Sequence, residues 1–385
     1  MTKLEKFFIS FLTVVAISIA GILVFLFQTN WRQPLGPSLQ VSMATPFGMP
    51  PTWTPNPATE STPLSTLAPA STQTAVTASE NISANPVCGG NLPIYILVIG
   101  SDTRADSYAY GLADVIRLVR VDFVNPKVTV LEFPRDLWVE IPDISDNLNG
   151  QDHEKLNQAY LYGNRGFSYT DDPAHGPGLL AHTLTLNFGT HIDHYAAINM
   201  RTFEKIVNAV DGIDVTLPKT VDGRTADDPD KRLLFVRGTH HLDGREALTL
   251  ARIRISGVFA REDNQDRVLC ALRDKLVSVD VIPKIPELIQ SFKGAVQTSL
   301  SPEQLSQLAC LGTKIKPEDI IFTSFPEELF EQDRVYDPVF KKNVFTWKVD
   351  YDILRGYIHR FNSGDWPNAV TALTDQQEGD SFICE

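Results

Sequence analysis

An α/β or α+β layer structure, with helices covering a sheet, is the fold class this sequence predicts, behind one N-terminal membrane-spanning helix. Three observations predict it. Strand-like and helix-like runs alternate from Ile94 to Phe325, the order of a layered fold in which each element hides its apolar face on another. Ile94–Ile99 is a continuous apolar run closed by Gly100, the pattern of a strand buried on both faces. Phe7–Phe27 contains no charged residue and has about the ~20 residues a helix needs to cross a bilayer.

The 385 residues have room for one large or two ordinary domains. A net charge of -13, with no run of Lys or Arg, argues against a nucleic-acid partner. Residues 1–6 read as a cytoplasmic tail, because Lys3 and Lys6 precede the apolar span. The span, residues 7–27, exceeds a signal peptide's apolar core of about 7 to 15 residues and reads as an uncleaved anchor. The protein is therefore expected to be single-pass in the cell membrane with its C-terminal part extracytoplasmic. Residues 28–87 are rich in Pro, Thr, Ser and Ala, cannot bury enough apolar surface to fold, and are expected to be a disordered spacer. The folded domain is expected over 88–328, with 329–385 an extension packed on it. Cys88, Cys270, Cys310 and Cys384 show no CxxC or His-flanked metal pattern and are expected as two disulfides. Of the three connectivities, Cys88 with Cys384 and Cys270 with Cys310 is the expected one, since end-to-end closure pins a terminus that otherwise frays.

Val115–Val124 and Lys127–Phe133 flank an Asn125-Pro126 turn, which predicts an antiparallel hairpin. Pairing outward from that turn places Asp114 near Arg135 and Asp136. If Ile94–Ile99 joins the same sheet with its exit at that end, Asp102 and Arg104 reach the same edge. Glu154–Gly163 reads as a short helix carrying Lys155, Asn157 and Tyr160. Helices are expected over Gly178–Phe188, stopped by Gly189, and over Arg201–Val210. Asp193–Asn199 and Ile213–Leu217 read as strands, Pro218–Arg232 as an exposed insertion, and His240 and His241 as loop. Asp243 followed by Glu246 is a capping-box start, so a helix carries Arg252 and delivers Arg254 just past its end. Along the next helix, about Arg261–Val279, Leu276, Leu272 and Leu269 lead back onto Gln265 and Arg261, and a buried arginine there needs an anionic partner. Ser301-Pro302-Glu303 starts a helix to Leu311, and Ile320–Phe325 is strand-like. Phe330–Glu385 reads as aromatics in polar loop, with Trp347, Tyr351, Tyr357 and Trp366 packing a terminal segment.

The blocks SDTR (Ser101–Arg104), GLADVIRLVRVD (Gly111–Asp122), FPRD (Phe133–Asp136), KLNQAYLYG (Lys155–Gly163), LDGREALTLARIR (Leu242–Arg254) and REDNQ (Arg261–Gln265), in this order, resemble the LytR-CpsA-Psr family of bacterial envelope proteins. The resemblance implies an α/β/α layered domain with a central mixed sheet and a polyprenyl-phosphate pocket between sheet and helices. It implies a phosphotransferase that moves a glycopolymer from an undecaprenyl-pyrophosphate carrier to peptidoglycan or another wall acceptor. It implies Asp102 and Asp114 as Mg2+ ligands, consistent with a metal that takes one or two carboxylates and completes its shell with phosphate and water. Arg135, Arg252, Arg254 and Arg261 match pyrophosphate-binding arginines, with Gln265 one turn on, Arg104 and Asp136 completing the site, and Lys155 and Asn157 as further substrate contacts. Guanidinium groups clamp phosphate oxygens in pairs and neutralise charge on the leaving phosphate. The chain departs from the family pattern at Leu112 and Asn264, each in place of an arginine, and at Val258, in place of an aspartate suited to be general base. Asp106, Glu262, Asp263 or Asp136 could substitute as the base, and the sequence does not choose among them. A catalytically weak module that binds polyprenyl-linked saccharide, and a polyprenyl pyrophosphatase, are the alternatives.

Overall fold

In a computed structural model the chain is described for residues 31–40, 86–90, 92–103, 107–225, 227–253, 258–278, 280, 281, 283, 288, 294–367 and 381–384. Its strands are β1 (Ile94–Ser101), β2 (Ala113–Asp122), β3 (Lys127–Glu132), β4 (Trp138–Glu140), β5 (His153–Lys155), β6 (His194–Asn199), β7 (Ile213–Leu217), β8 (Val221–Asp222), β9 (Leu234–Phe235), β10 (Gly238–Leu242), β11 (Gln297–Thr298), β12 (Ile320–Thr323), β13 (Glu331–Asp337), β14 (Lys342–Lys348) and β15 (Ser381–Ile383). The helices are α1 (Leu156–Gly163), α2 (Gly176–Phe188), α3 (Met200–Ala209), α4 (Gly244–Arg252), α5 (Val258–Leu276), α6 (Pro302–Lys314) and α7 (Tyr351–Ser363).

The central sheet runs β11-β6-β1-β2-β3-β12-β15. It is mixed, since β1 is antiparallel to β2 but parallel to β6, and β3 is antiparallel to β2 but parallel to β12. Side chains alternate across it. Leu97, Ile99, Ile116, Leu118 and Leu131 pack with Leu156, Leu179 and Leu354 of α1, α2 and α7. Ile96, Val121, Val130 and Phe322 face the other way, onto Cys270 of α5 and Leu311 of α6. A third cluster joins Phe203 and Val207 of α3, Ala247 and Leu250 of α4 and Val268 of α5 to Val215 of β7. Helices therefore cover both faces of the sheet.

The hairpin predicted around Asn125-Pro126 is present, with Asp122 opposite Lys127. Its turn is organised by Asp122 Oδ1, which accepts the N–H groups of Val124 and Asn125 at 2.9 and 3.0 Å. The helix starts read from local chemistry also form. Asp243 and Glu246 make a reciprocal cap on α4, and Ser301 with Gln304 makes one on α6. Gly189 ends α2 in the left-handed region, at φ 70°.

Several expectations are corrected. His240 and His241 lie in β10, paired with β7, rather than in loop. The segment after Phe330 is not mainly loop, since β13 and β14 form a hairpin and α7 buries Leu354, Ile358 and Phe361. Residues 31–40 fall in the expected spacer yet pack on the domain, where the Leu35 N–H donates to the Leu300 carbonyl at 3.1 Å. Among the described residues no helix is long and apolar enough to cross a membrane, and Phe7–Phe27 lies outside them.

The disulfides also differ from the expected pairing. They join Cys88 to Cys310 and Cys270 to Cys384. The reason lies in the layer order, because each end of the domain lies along a helix instead of against the other end. Val87–Gly89 packs on α6, which carries Cys310, while β15 pairs with β12 and ends beside Cys270 of α5. Mass spectrometry of non-reduced peptides should recover these two pairs. Breaking the Cys270–Cys384 pair by Cys384→Ser should cost about 2 to 4 kcal/mol of unfolding free energy, measurable by denaturant titration.

Candidate active site

The site forms where β1, β2 and β3 deliver their charged ends. The register of β1 on β2 slips by one residue here, since Gly100 pairs with Val115 but Ser101 pairs with Ala113. Asp114 is the extra residue. A bulge of this kind twists a strand locally and re-aims the side chain it carries. Gly100 is required by the same close approach, because a Cβ there would lie 2.9 Å from Val115 Cβ. Asp102 leaves β1 at this point, and its Oδ1 accepts the Leu112 N–H at 2.8 Å. Among the described residues its other oxygen has no hydrogen-bond partner in the protein.

Asp114 is ion-paired with Arg135. Arg135 Nε also donates to Asp136 at 3.3 Å, and Lys155 Nζ donates to the second oxygen of Asp136 at 2.8 Å. A chain of alternating charge thus runs Asp114, Arg135, Asp136, Lys155. It is anchored by backbone, since the N–H groups of Leu156 and Asn157, the first residues of α1, donate to the carbonyls of Leu137 and Arg135. Asn157 is buried at 5% exposure, and its Oδ1 has no hydrogen-bond partner among the described residues.

Behind this chain lies a cavity of about 360 Å³ between the sheet and α3, α4 and α5. Val98, Val115, Ile198, Phe203, Leu248 and Leu269 give it an apolar wall, and Asp114, Arg252 and Gln265 are among its polar members. Arg252 is exposed at the last turn of α4. Gln265 is held from both ends of its amide, donating to the Ala251 carbonyl at 3.3 Å and accepting from Arg117 at 3.3 Å. It therefore builds the cavity wall by tying α5 to α4 and β2. The structure brings Asp102, Asp114, Arg135, Asp136, Lys155 and Asn157 to one edge and sets Arg252 and Gln265 on the adjoining cavity. Arg104 and Arg254, and the side chain of Arg261, lie outside the described residues.

The sequence reading missed Arg117. Its guanidinium, 3% exposed, contacts Glu132 of β3 and Asp266 of α5, each at 2.5 Å. A signal was present, because a charge between Ile116 and Leu118 in the middle of an apolar strand demands a buried anionic partner. Glu154 is a second missed group. It is fully buried, and neither carboxyl oxygen has a hydrogen-bond partner among the described residues. Burial, followed by the nearby charge of Asp337, pushes its carboxyl up to about 8. A carboxyl raised in the folded state favours folding most below its ordinary value near 4.5, and that contribution is lost as pH climbs towards 8. Denaturant midpoints should therefore fall between pH 5 and 8 (roughly the window between the two pKa values), and Glu154→Gln should flatten that part of the profile.

Asp102, just past the end of β1, and Asp114, on the paired strand β2, are carboxylates of the kind taken by a metal that needs few protein ligands. Among the described residues no group of three or more His, Cys, Asp or Glu is placed to hold a metal ion by itself.

Comparisons with known proteins bear on the family and the fold. The sequence profile of the LytR_cpsA_psr family matches residues 64–351. The chain is 30% identical over 211 residues to the polyisoprenyl-teichoic acid–peptidoglycan teichoic acid transferase TagV of Bacillus subtilis, covering 54% of this chain and 50% of TagV. It is 29% identical over 218 residues to the regulatory protein MsrR of Staphylococcus aureus, covering 56% and 58% of the two chains. It thus spans little more than half the length of these relatives. The crystal structure of B. subtilis TagV has the same fold, with a TM-score of 0.54 at 24% identity over 72% of this chain and all of that one. YwtF (TagT), solved with bound octaprenyl pyrophosphate lipid, superposes with a TM-score of 0.51 at 22% identity, covering 72% and 91%.

Proposed function

We propose, from the premise that this chain belongs to the LytR_cpsA_psr family, that it is a membrane-anchored phosphotransferase. It moves a glycopolymer from an undecaprenyl-pyrophosphate carrier onto peptidoglycan or another wall acceptor. The observation that carries the reading is the apolar cavity with Asp114 and Arg252 on its wall. A polyprenyl chain is hydrocarbon and needs a dry slot, while its pyrophosphate needs cations and a polar edge. The site offers both in contact.

In the reaction an acceptor hydroxyl attacks the phosphorus that bears the glycan. The bond to the bridging oxygen breaks, polyprenyl phosphate leaves, and the hydroxyl proton passes to a base. Negative charge grows on the leaving phosphate, so fixed cations aimed at it lower the barrier most. Arg252, at the cavity, and Arg135, oriented by Asp114 and Asp136, serve that role. Arg104, Arg254 and Arg261 are proposed to extend the clamp, with Lys155 and Asn157 beside the phosphate. Mg2+ held by Asp102 and Asp114 would neutralise pyrophosphate oxygens as a Lewis acid. Both oxygens of Asp136 are engaged by Arg135 and Lys155, which suits it to orienting cations.

Phe7–Phe27 is proposed as the anchor, with the folded part outside the cell. Protease added to intact cells should then cut between residues 41 and 85. The function is tested by supplying a polyprenyl-pyrophosphate-linked saccharide, Mg2+ and peptidoglycan to the full-length protein in vesicles and analysing products by mass spectrometry. Expected products are polyprenyl phosphate and glycosylated acceptor in equal amounts. Val258, where a carboxylate would serve as base, favours a second reading as a binding module, which predicts donor binding with no polyprenyl phosphate released. Polyprenyl phosphate released with free saccharide phosphate, and no transfer to the acceptor, would indicate a pyrophosphatase.

A further inference from the structure

A larger cavity, about 950 Å³, follows the site cavity along the same elements, bounded by Ala196 of β6, Ile206 and Val210 of α3 and Leu276 of α5. Part of its wall is made by Leu35, Gly36 and Pro37. These residues come from the stretch that follows Phe7–Phe27, and they are docked. Besides the Leu35 bond to Leu300, the Gln40 N–H donates to Asp172 Oδ2 at 3.2 Å and Arg32 pairs with Glu303 of α6 at 3.3 Å. Leu39 packs against the main core. Gly36 sits so close that a Cβ there would lie 2.7 Å from the Thr298 carbonyl oxygen. The chain returns to the same helix, since Cys88 is bonded to Cys310 of α6. Both ends of the stretch from 41 to 85 are therefore fixed to the domain.

We propose that residues 31–40 are a strap that walls the lipid cavity and seats the domain on the membrane from which the lipid comes. This rests on the anchor at Phe7–Phe27 and on the cavities holding a polyprenyl chain. Trp31 follows Phe27 by four residues, a reach of at most about 14 Å, so the strap begins at the bilayer surface. A long isoprenoid tail exposes methylene and methyl groups at a cost for every one that crosses water. A cavity whose wall is the chain leaving the membrane gives the tail a short path that stays out of water. The stretch from 41 to 85 then holds no distance between membrane and domain.

The test uses the full-length protein in vesicles. Its native cysteines are paired, so Arg32→Cys with Glu303→Cys supplies the free thiols for a short bismaleimide bridge. A protease site inserted between 41 and 85 reads it out, because a bridged protein stays one band after cutting. The bridge is expected in the otherwise unchanged chain and is expected to be lost on adding Gly36→Val, which cannot fit against Thr298. A second measurement compares donors. Arg32→Glu with Gln40→Pro, which reverses one contact and removes the other's N–H, should slow transfer from a vesicle-embedded long-chain donor at least about tenfold. Transfer from a water-soluble short-chain donor should hold. Absence of the bridge, or equal rates from the vesicle donor with and without the strap changes, overturns the proposal. Recovery of the unchanged protein in the soluble fraction, or no transfer from either donor, would overturn it at its premise instead, through the anchor or the transferase reading.

Discussion

Replacing Arg117 with Met should destabilise the fold by about 3 to 5 kcal/mol, the cost of stripping the cation from a buried ionic group. Arg117 sits in mid β2 on the face covered by α5 and is the shared partner of Glu132 and Asp266, two carboxylates that are themselves buried. Burial pushes the Asp266 carboxyl up to about 6, against the opposing pull of Arg117. Without the guanidinium the two acids face each other in a dry layer. At a conversion of roughly 2 to 4 °C per kcal/mol for a chain of this size, the melting temperature should drop by roughly 6 to 20 °C. The sign of the pH dependence follows from the raised carboxyl. Its contribution is fully present below the ordinary value of 3.8 and is lost as pH rises through about 6. Without Arg117, whose charge holds that value down, the carboxyl rises further. The variant therefore keeps losing stability above the parent's transition, and its deficit should be larger at pH 8 than at pH 5, values chosen on roughly either side of it. A triple variant, Arg117→Met with Glu132→Leu and Asp266→Leu, should regain most of the loss, because an apolar replacement of a buried ion network is often neutral. A single variant as stable as the parent would show that the three groups are not a buried unit.

Such a network couples stability to the site. Arg117 also donates to Gln265, and Gln265 donates to the carbonyl of Ala251, one residue before Arg252. The strand that carries Asp114 is thereby joined to the helix that carries Arg252. The variant should weaken donor binding even at temperatures where it remains folded, and calorimetry with a polyprenyl-phosphate analogue would measure it.

What the sequence disclosed, and what it hid, divides by range. The Asn125-Pro126 hairpin, the caps at Asp243 and Ser301 and the apolar β1 are decided by residues within a few positions of each other, and all were legible. The convergence of Asp102, Asp114, Arg135 and Asp136 followed from that hairpin once β1 was placed beside it. The bulge at Asp114 was hidden, because a one-residue slip exists only in the pairing of two strands. Disulfide connectivity was hidden for a similar reason, since Cys270 and Cys310 lie on neighbouring helices in sequence but pair in space with Cys384 and Cys88, far from both in sequence. In α7 the pattern Leu354, Ile358, Phe361 stands at helical spacing, interleaved with Tyr351 and Tyr357. The docking of residues 31–40 was illegible in a stretch of that composition, because it depends on a surface built by Asp172, Thr298 and Leu300.

Asp114→Ala should lower saccharide transfer by about three orders of magnitude or more, the scale set by losing a charge that organises the transition state, while leaving the fold intact. The carboxylate orients Arg135 and lies on the cavity wall, so its removal loosens the cation and takes one proposed ligand from the metal. Asp136 still holds Arg135 through its Nε, and an alanine is acceptable in a partly exposed bulge, so melting should change little. Asp102→Ala should fall in the same class. Val258→Asp should go the other way, leaving transfer equal or faster. General acid-base help is worth about 10² to 10⁴-fold where it is present, and expulsion of a negatively charged polyprenyl phosphate depends more on cations than on a strong base. Rates from one donor and one acceptor, with polyprenyl phosphate quantified by mass spectrometry, decide the order. Should Asp114→Ala transfer as fast as the parent, the charged edge of the sheet is not where the pyrophosphate reacts. A parent with no turnover that gains it through Val258→Asp would place the defect of this chain in proton removal, with the cation clamp and the cavity already competent.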